Sequence, residues 1–189
     1  MKHQKLFSLC KKKGCFIIFG NEDNKNQNQW LGTDAGLFLI EHLPYLTKSY
    51  IIALLDITPK QQEKTIFKHE SNLPICYNFG DSDESEKMLE QDLIAQTYKG
   101  DNVQPLFTSQ GIKFINTALL EPFADVADMI EIYERFTEDG HIYFAVKFGM
   151  MLKAIIMPIN ILSEDFVTKI ETLAIKCRAA LNEQVRKEK

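Results

Sequence analysis

The stretch GIKFINTALLEPFADVADMIEIYERFTEDGHIYFAVKFGMMLKAIIMPIN, Gly111–Asn160, decides the fold. It reads as one strand, a short irregular helix, and three strands joined by tight turns. Met129–Phe136 (MIEIYERF) and His141–Phe148 (HIYFAVKF) alternate large apolar with polar side chains, the period of two expected of half-buried strands. Thr137–Gly140 (TEDG) supplies an Asp-Gly turn between them, because glycine takes the positive φ that a tight hairpin needs. Phe148-Gly149-Met150 makes a second break, and Leu152–Ile159 (LKAIIMPI) is continuously apolar, as a buried strand would be.

Upstream, Gly14–Gly20 (GCFIIFG) reads as a strand that ends in the polar loop Asn21–Gln29. Trp30–Glu41 reads as the next strand, with a bend or bulge at Gly32 and Gly36. Thr47 is placed to cap a helix in which Tyr50, Ile51, Leu54 and Leu55 share a face, although Tyr50–Ile52 also fits the start of a strand. Lys64–Glu70 and Leu73–Phe79 read as short strands, and the acidic Gly80–Glu90 as a linker. A further pair follows, Asp92–Tyr98 and Gln104–Asn116, around the turn Lys99–Asn102. Thr117–Asp128 is a helix that Pro122 interrupts. Ser163 caps a last helix whose first turn carries Glu164 and Asp165, where acids suit the helix dipole. Phe166, Ile170, Ala174, Cys177 and Leu181 line one side of it, whereas Lys2–Lys13 fits either a short helix or an extended lead-in.

The chain has 189 residues, 45% hydrophobic and 25% charged, the mix of a soluble globular protein with one substantial core. No apolar run approaches the roughly 20 residues of a membrane helix. Near the amino terminus, Cys15–Phe19 is too short for the h-region of a signal peptide, which leads to an expected cytoplasmic location. Cys10, Cys15, Cys76 and Cys177 have neither zinc-site nor redox spacing and are expected to be reduced thiols. The net charge of −4 argues against strong non-specific DNA affinity over the whole surface, while leaving room for a local basic patch.

The two halves read as copies of one unit. Gly36-Leu37-Phe38-Leu39-Ile40 lies on Gly111-Ile112-Lys113-Phe114-Ile115, and without a gap Asp56-Ile57 then lies on Glu131-Ile132. With small gaps, Thr65-Ile66-Phe67 matches Ile142-Tyr143-Phe144, and Pro74–Tyr77 matches the strand around Ile155-Ile156. Two such units would pair their sheets and pack their helices over one core.

That unit, with Lys113-Phe114-Ile115-Asn116 leading into Leu119-Leu120 and the closing Ala154-Ile155-Ile156-Met157-Pro158-Ile159, resembles the sliding-clamp fold of DNA polymerase processivity factors. With Gln29-Trp30-Leu31-Gly32 and Gln104-Pro105-Leu106, the chain also resembles uncharacterised phage and prophage proteins of low-GC Gram-positive bacteria, which would place it in a bacterial host cell. The expected fold is therefore α+β and DNA-clamp-like. It has two similar half-units of strands, helix and strands with antiparallel sheets, residues 14–80 and 92–160, and a C-terminal helix over 163–186, in one globular domain of residues 1–189. The clamp resemblance implies helices that turn cations toward DNA. Here Thr117–Asp128 holds Glu121, Asp125 and Asp128 instead, and the first helix offers Lys48.

The candidate nucleic-acid contacts are thus Lys11, Lys12, Lys13 and Lys48; the triple lysine serves equally to blunt an edge strand against pairing. The acidic run Asp81, Asp83, Glu84, Glu86, Glu90, Asp92 lacks the glycine of a calcium loop. Asp34 and Asp56 are the acids considered for acid–base work, and His3, His42, His69 and His141 are scattered among different elements. No glycine-rich phosphate loop or nucleophile elbow is present. The expected protein is therefore not an enzyme and takes no cofactor, no metal and no evident small-molecule substrate. It acts by binding a macromolecule, either as a clamp-like factor in DNA replication or processing, or as a homo-oligomeric structural or regulatory protein with no nucleic-acid role. A protein partner or self-association is expected, DNA is the alternative partner, and no membrane is involved.

Overall fold

A computed structural model describes residues 1–20, 28–91 and 95–187, the last three without their side chains. The chain divides into two units, Met1–Ile159 and Asn160–Lys189. The first is mixed α and β. Helix α1 (His3–Lys13) ends at Gly14, whose φ of 64° allows its N–H to reach back to the carbonyls of Cys10 and Lys11. Strands β1 (Cys15–Phe19), β2 (Gln29–Thr33) and β3 (Gly36–Ile40) follow, then α2 (Lys48–Leu54), α3 (Pro59–Gln62) and β4 (Ile66–Glu70). Thr47 caps α2 through Tyr50, and Thr58 and Gln61 form a reciprocal capping box on α3. After an irregular segment come β5 (Lys87–Met88), β6 (Gln96–Tyr98), β7 (Asp101–Thr108) and β8 (Gly111–Asn116). Two 3-10 segments, Thr117–Leu119 and Glu121–Met129, lead to β9 (Ile130–Phe136), β10 (Ile142–Phe148) and β11 (Met151–Ile156).

Eight strands form one sheet in the order β4-β1-β2-β3-β11-β10-β9-β5, antiparallel except for the β1–β4 pair. Strands β6-β7-β8 form a separate antiparallel sheet. One face of the large sheet, with Phe16, Ile18, Phe38, Phe144 and Ile156, packs against α1, the second 3-10 segment through Phe123, and the small sheet through Leu106 and Ile115. The other face presents Phe19, Trp30, Leu39, Tyr143 and Leu152, and the irregular segment covers it with Leu73, Tyr77 and Phe79. Both faces are therefore buried over the central strands, while β4 and β5 at the edges stay largely exposed. This corrects the half-buried expectation for β10, where Ile142 to Lys147 are all buried, whereas β9 keeps a mixed pattern with Glu131 exposed; β3 is buried throughout.

The hairpin at Thr137–Gly140 forms as expected, with Gly140 at φ 75°. Other expectations shift. Trp30–Glu41 is not one bent strand but a hairpin, and a Cβ at Gly32 would sit 1.9 Å from the Gly36 carbonyl oxygen, so only glycine permits the reversal. Gln104–Asn116 likewise folds back, into β7 and β8. Leu73–Phe79 forms no strand; it crosses the sheet face instead. Of the expected strand Asp92–Tyr98, residues 92–94 lie outside the described residues, as does most of the loop Asn21–Gln29. Pro122 and the departure of Val126 from helical angles leave 3-10 turns where a helix was expected.

The paired segments of the expected repeat occupy different settings. Gly36–Ile40 is β3 of the large sheet, whereas Gly111–Ile115 is β8 of the small one. Asp56-Ile57 follows α2, whereas Glu131-Ile132 lies within β9; Pro74–Tyr77 is irregular, whereas Ile155-Ile156 is strand. Nor does Gly80–Glu90 act as a free linker, because β5 within it pairs with β9.

The second unit is α4, Glu164–Lys187, opened by an N–H···O bond from Phe166 to the Ser163 hydroxyl and carrying a Lys169–Asp165 pair. Val167, Ile170, Leu173, Ile175 and Leu181 are exposed along it. No helix among the described residues is long and apolar enough to cross a membrane.

Candidate functional site

The lysines singled out in the sequence point at separate partners. The last turn of α1 carries Lys11, Lys12 and Lys13, which suits the negative end of its dipole. Lys11 Nζ donates to the Leu55 carbonyl at 2.6 Å, just past the end of α2. Lys13 Nζ lies 3.5 Å from Asp101 Oδ2. Lys48 opens α2, its Nζ 5.2 Å from the centre of the Phe67 ring. Lys12 lines a surface hollow of about 490 Å³ with Lys5, Ser8 and Glu121. On the same helix Lys2 pairs with Asp125 at 2.6 Å and Lys5 with Glu121 at 3.7 Å. The acids of the 3-10 segment, which broke the clamp pattern in sequence, are thus counter-charges for α1.

The acidic run converges on a buried polar cluster that the sequence did not reveal. Arg135 on β9 is fully buried and Lys147 on β10 nearly so, both on the face under the irregular segment. Glu86 accepts from Arg135 Nη2 at 2.6 Å and from Lys147 Nζ at 2.8 Å. Arg135 Nη1 also donates to the carbonyls of Asn78 and Gly80, and the Tyr143 hydroxyl accepts from the Asn78 N–H. Asp81 accepts from the Leu152 N–H, and Asp83 from Asn78 and Ser85. Burial alone would raise the Glu86 pKa, but the hydrogen bonds from Lys147 and Arg135 and their charges outweigh it and hold the carboxyl below its usual range. The hydrogen bonds of Arg135 and Lys147 run to the irregular segment itself, so the cluster works as a clasp that fixes that segment to the sheet. Lys147, the one charged residue in the apolar run Ile142–Phe148, was the signal that could have found it, since a buried charge must be paired.

Of the remaining candidates, Asp34 lies in the β2–β3 turn and Asp56 follows α2 at φ 47°, in separate places. His69 hydrogen-bonds Tyr45. His3 and His42 come together, with Glu41 and Lys153, at a cleft of about 370 Å³. Among the described residues no group of three or more His, Cys, Asp or Glu side chains is arranged to hold a metal ion. The four cysteines are free; Cys10 is buried, and burial pushes its thiol up to about 12. Comparisons with family models, curated proteins and solved structures found no match.

Proposed function

We propose that the protein is a non-enzymatic accessory module that acts by binding a macromolecule, and that its first partner is a second copy of itself, joined through α4. The observation that carries this reading is the apolar stripe on α4. Phe166, Ile170, Leu173, Cys177 and Ala180 follow one another at spacings of four and three, the pattern of a helix–helix seam, and Ile170 and Leu173 are exposed. Glu164 and Asp165 open the helix while Lys176 and Arg178 follow its midpoint. An antiparallel pair sets the acidic turn of each copy beside the basic turns of the other, and opposes the two dipoles. At about 1.5 Å per residue the helix is about 36 Å long, enough for a seam of several turns.

Light scattering on the full chain tests this: a dimer mass is expected, falling to the monomer with Leu173→Glu, and a monomeric wild type overturns it. Mild oxidation separates the orientations, since only a parallel pair sets the two Cys177 side chains side by side.

A clamp-like role on DNA is the alternative. It draws on α1, whose lysines are largely matched by Asp101, Glu121 and Asp125. A mobility shift on duplex DNA at low salt that fades steeply as salt rises would favour it.

A further inference from the structure

The cleft at one end of the large sheet is built from four parts of the first unit. Glu41 and His42 follow β3, Lys153 lies on β11, and His3 opens α1. Phe123 and Val126 of the second 3-10 segment close it, with Phe148 and Met151 at the β10–β11 turn. Its volume of about 370 Å³ falls within the roughly 300–1,000 Å³ typical of small-ligand sites. Two irregularities of backbone shape it. Val126 departs from helical angles (φ −128°, ψ 23°), and His42 is held at φ 62°, a left-handed conformation that costs energy in a non-glycine residue.

The polar groups of the cleft are mostly donors. Lys153 Nζ spends one N–H on Glu41 Oε2 at 2.7 Å, and an ammonium has three. The imidazoles of His3 and His42 each carry at least one more N–H. Against them stands one carboxylate, Glu41, already engaged. Burial, ahead of the positive amino terminus, pulls the His3 pKa down against the raising effect of Glu41, so that near pH 7 this ring offers a hydrogen bond rather than a charge. The rest of the lining, Met1, Phe123, Val126, Phe148 and Met151, is hydrocarbon, ring and thioether.

We propose that the cleft binds a small carboxylic acid with an apolar body: the acid group meets Lys153, His3 and His42, and the body lies among Phe123, Val126, Phe148 and Met151. The site is independent of α4 and of self-association.

The probe is 3-phenylpropanoate, titrated into the full chain carrying ¹³C-methyl methionine. The protein has six methionines, so its spectrum is simple; Met1 and Met151 both line the cleft, and Met151→Leu assigns the signal of Met151. A saturable shift of Met151 is expected, with Met88 and Met157 unmoved. The amine and the alcohol of the same skeleton, 3-phenylpropylamine and 3-phenylpropanol, should bind at least about tenfold more weakly, a difference of about 1.4 kcal/mol. Lys153→Met should cost a similar factor and Lys153→Arg should restore most of it. Binding of the amine or alcohol as tight as the acid, or unchanged binding by Lys153→Met, overturns the proposal. So does a shift that fails to saturate by about 10 mM, where affinity would fall below about 3 kcal/mol. If Lys153→Met does not fold, Glu41→Gln decides: removing the competing carboxylate should tighten binding, and unchanged or weaker binding overturns it.

Discussion

The two faces of the large sheet are buried by different chemistry. Under α1 the contact is apolar throughout, with Leu6, Phe7 and Cys10 against Phe16, Phe38 and Phe144. The opposite face is covered by a segment with no regular structure beyond the two-residue β5, and that segment is held by Glu86, Arg135 and Lys147 as much as by Tyr77 and Phe79. A helix satisfies its own backbone and can bury a plain apolar stripe. An irregular segment cannot, so carbonyls such as those of Asn78 and Gly80 need donors from the sheet, and Arg135 provides them. The lesson is that a polar cluster in the interior can be a fastening and need not be a reaction site.

The sharpest way to test that contrast is to remove one element from each face. Phe144→Ala leaves a cavity on the apolar face and is expected to cost about 4 kcal/mol in denaturant unfolding. Glu86→Gln leaves two buried cations without their carboxylate, and should cost about 3 kcal/mol. Replacing the whole triad by Glu86→Leu, Arg135→Met and Lys147→Met removes charge and partner together. If the clasp serves stability, the triple variant unfolds more readily than wild type. A neutral or stabilising result would show that its task is to specify where the segment lies.

Acid should distinguish the faces next. The folded-state pKa of Glu86 lies below its unfolded value. Its contribution is therefore complete above the unfolded value and is lost as pH falls through the depressed one. A melting series toward low pH should show wild type losing stability there, with a shallower loss in Glu86→Gln.

Alkylation gives a kinetic readout of the same contrast. Cys76 lies exposed in the irregular segment, whereas Cys10 is buried on the inner face of α1 with its thiol pushed up to about 12. Iodoacetamide at pH 8 should modify Cys76 in the native protein and spare Cys10 until denaturant is added. The smallest effect belongs to the α1 surface. Removing Lys2 and Lys5 together should change stability by no more than about 1 kcal/mol, because both pairs are solvent-exposed.

Local pattern made the β9–β11 meander legible, because Asp139-Gly140 and Gly149 mark its turns and the apolar period marks its strands. The helix cap at Thr47 was legible for the same reason. The hairpin of β2 and β3 was not, since glycines at Gly32 and Gly36 signal a bend equally well; only the close approach of their backbones shows a reversal. The internal repeat read from Gly36–Ile57 and Gly111–Ile132 rested on apolar runs that any strand shares, and the strands that open the two segments, β3 and β8, lie in different sheets. Of the candidate sites, the α1 lysines could be named from sequence but not their counter-charges, which come from residues far along the chain.

By itself, then, the sequence determined the identity and order of the β9–β11 strands, the caps and turns, and the existence of the helix α4, because each depends on neighbours a few residues apart. Only the tertiary structure decided that the large sheet is buried on both faces, that the acidic run closes over Arg135 and Lys147, and that His3 and His42 meet Lys153 at one cleft. Those arrangements depend on strand order and on loop paths, which join residues from 41 to 153 without leaving a local pattern.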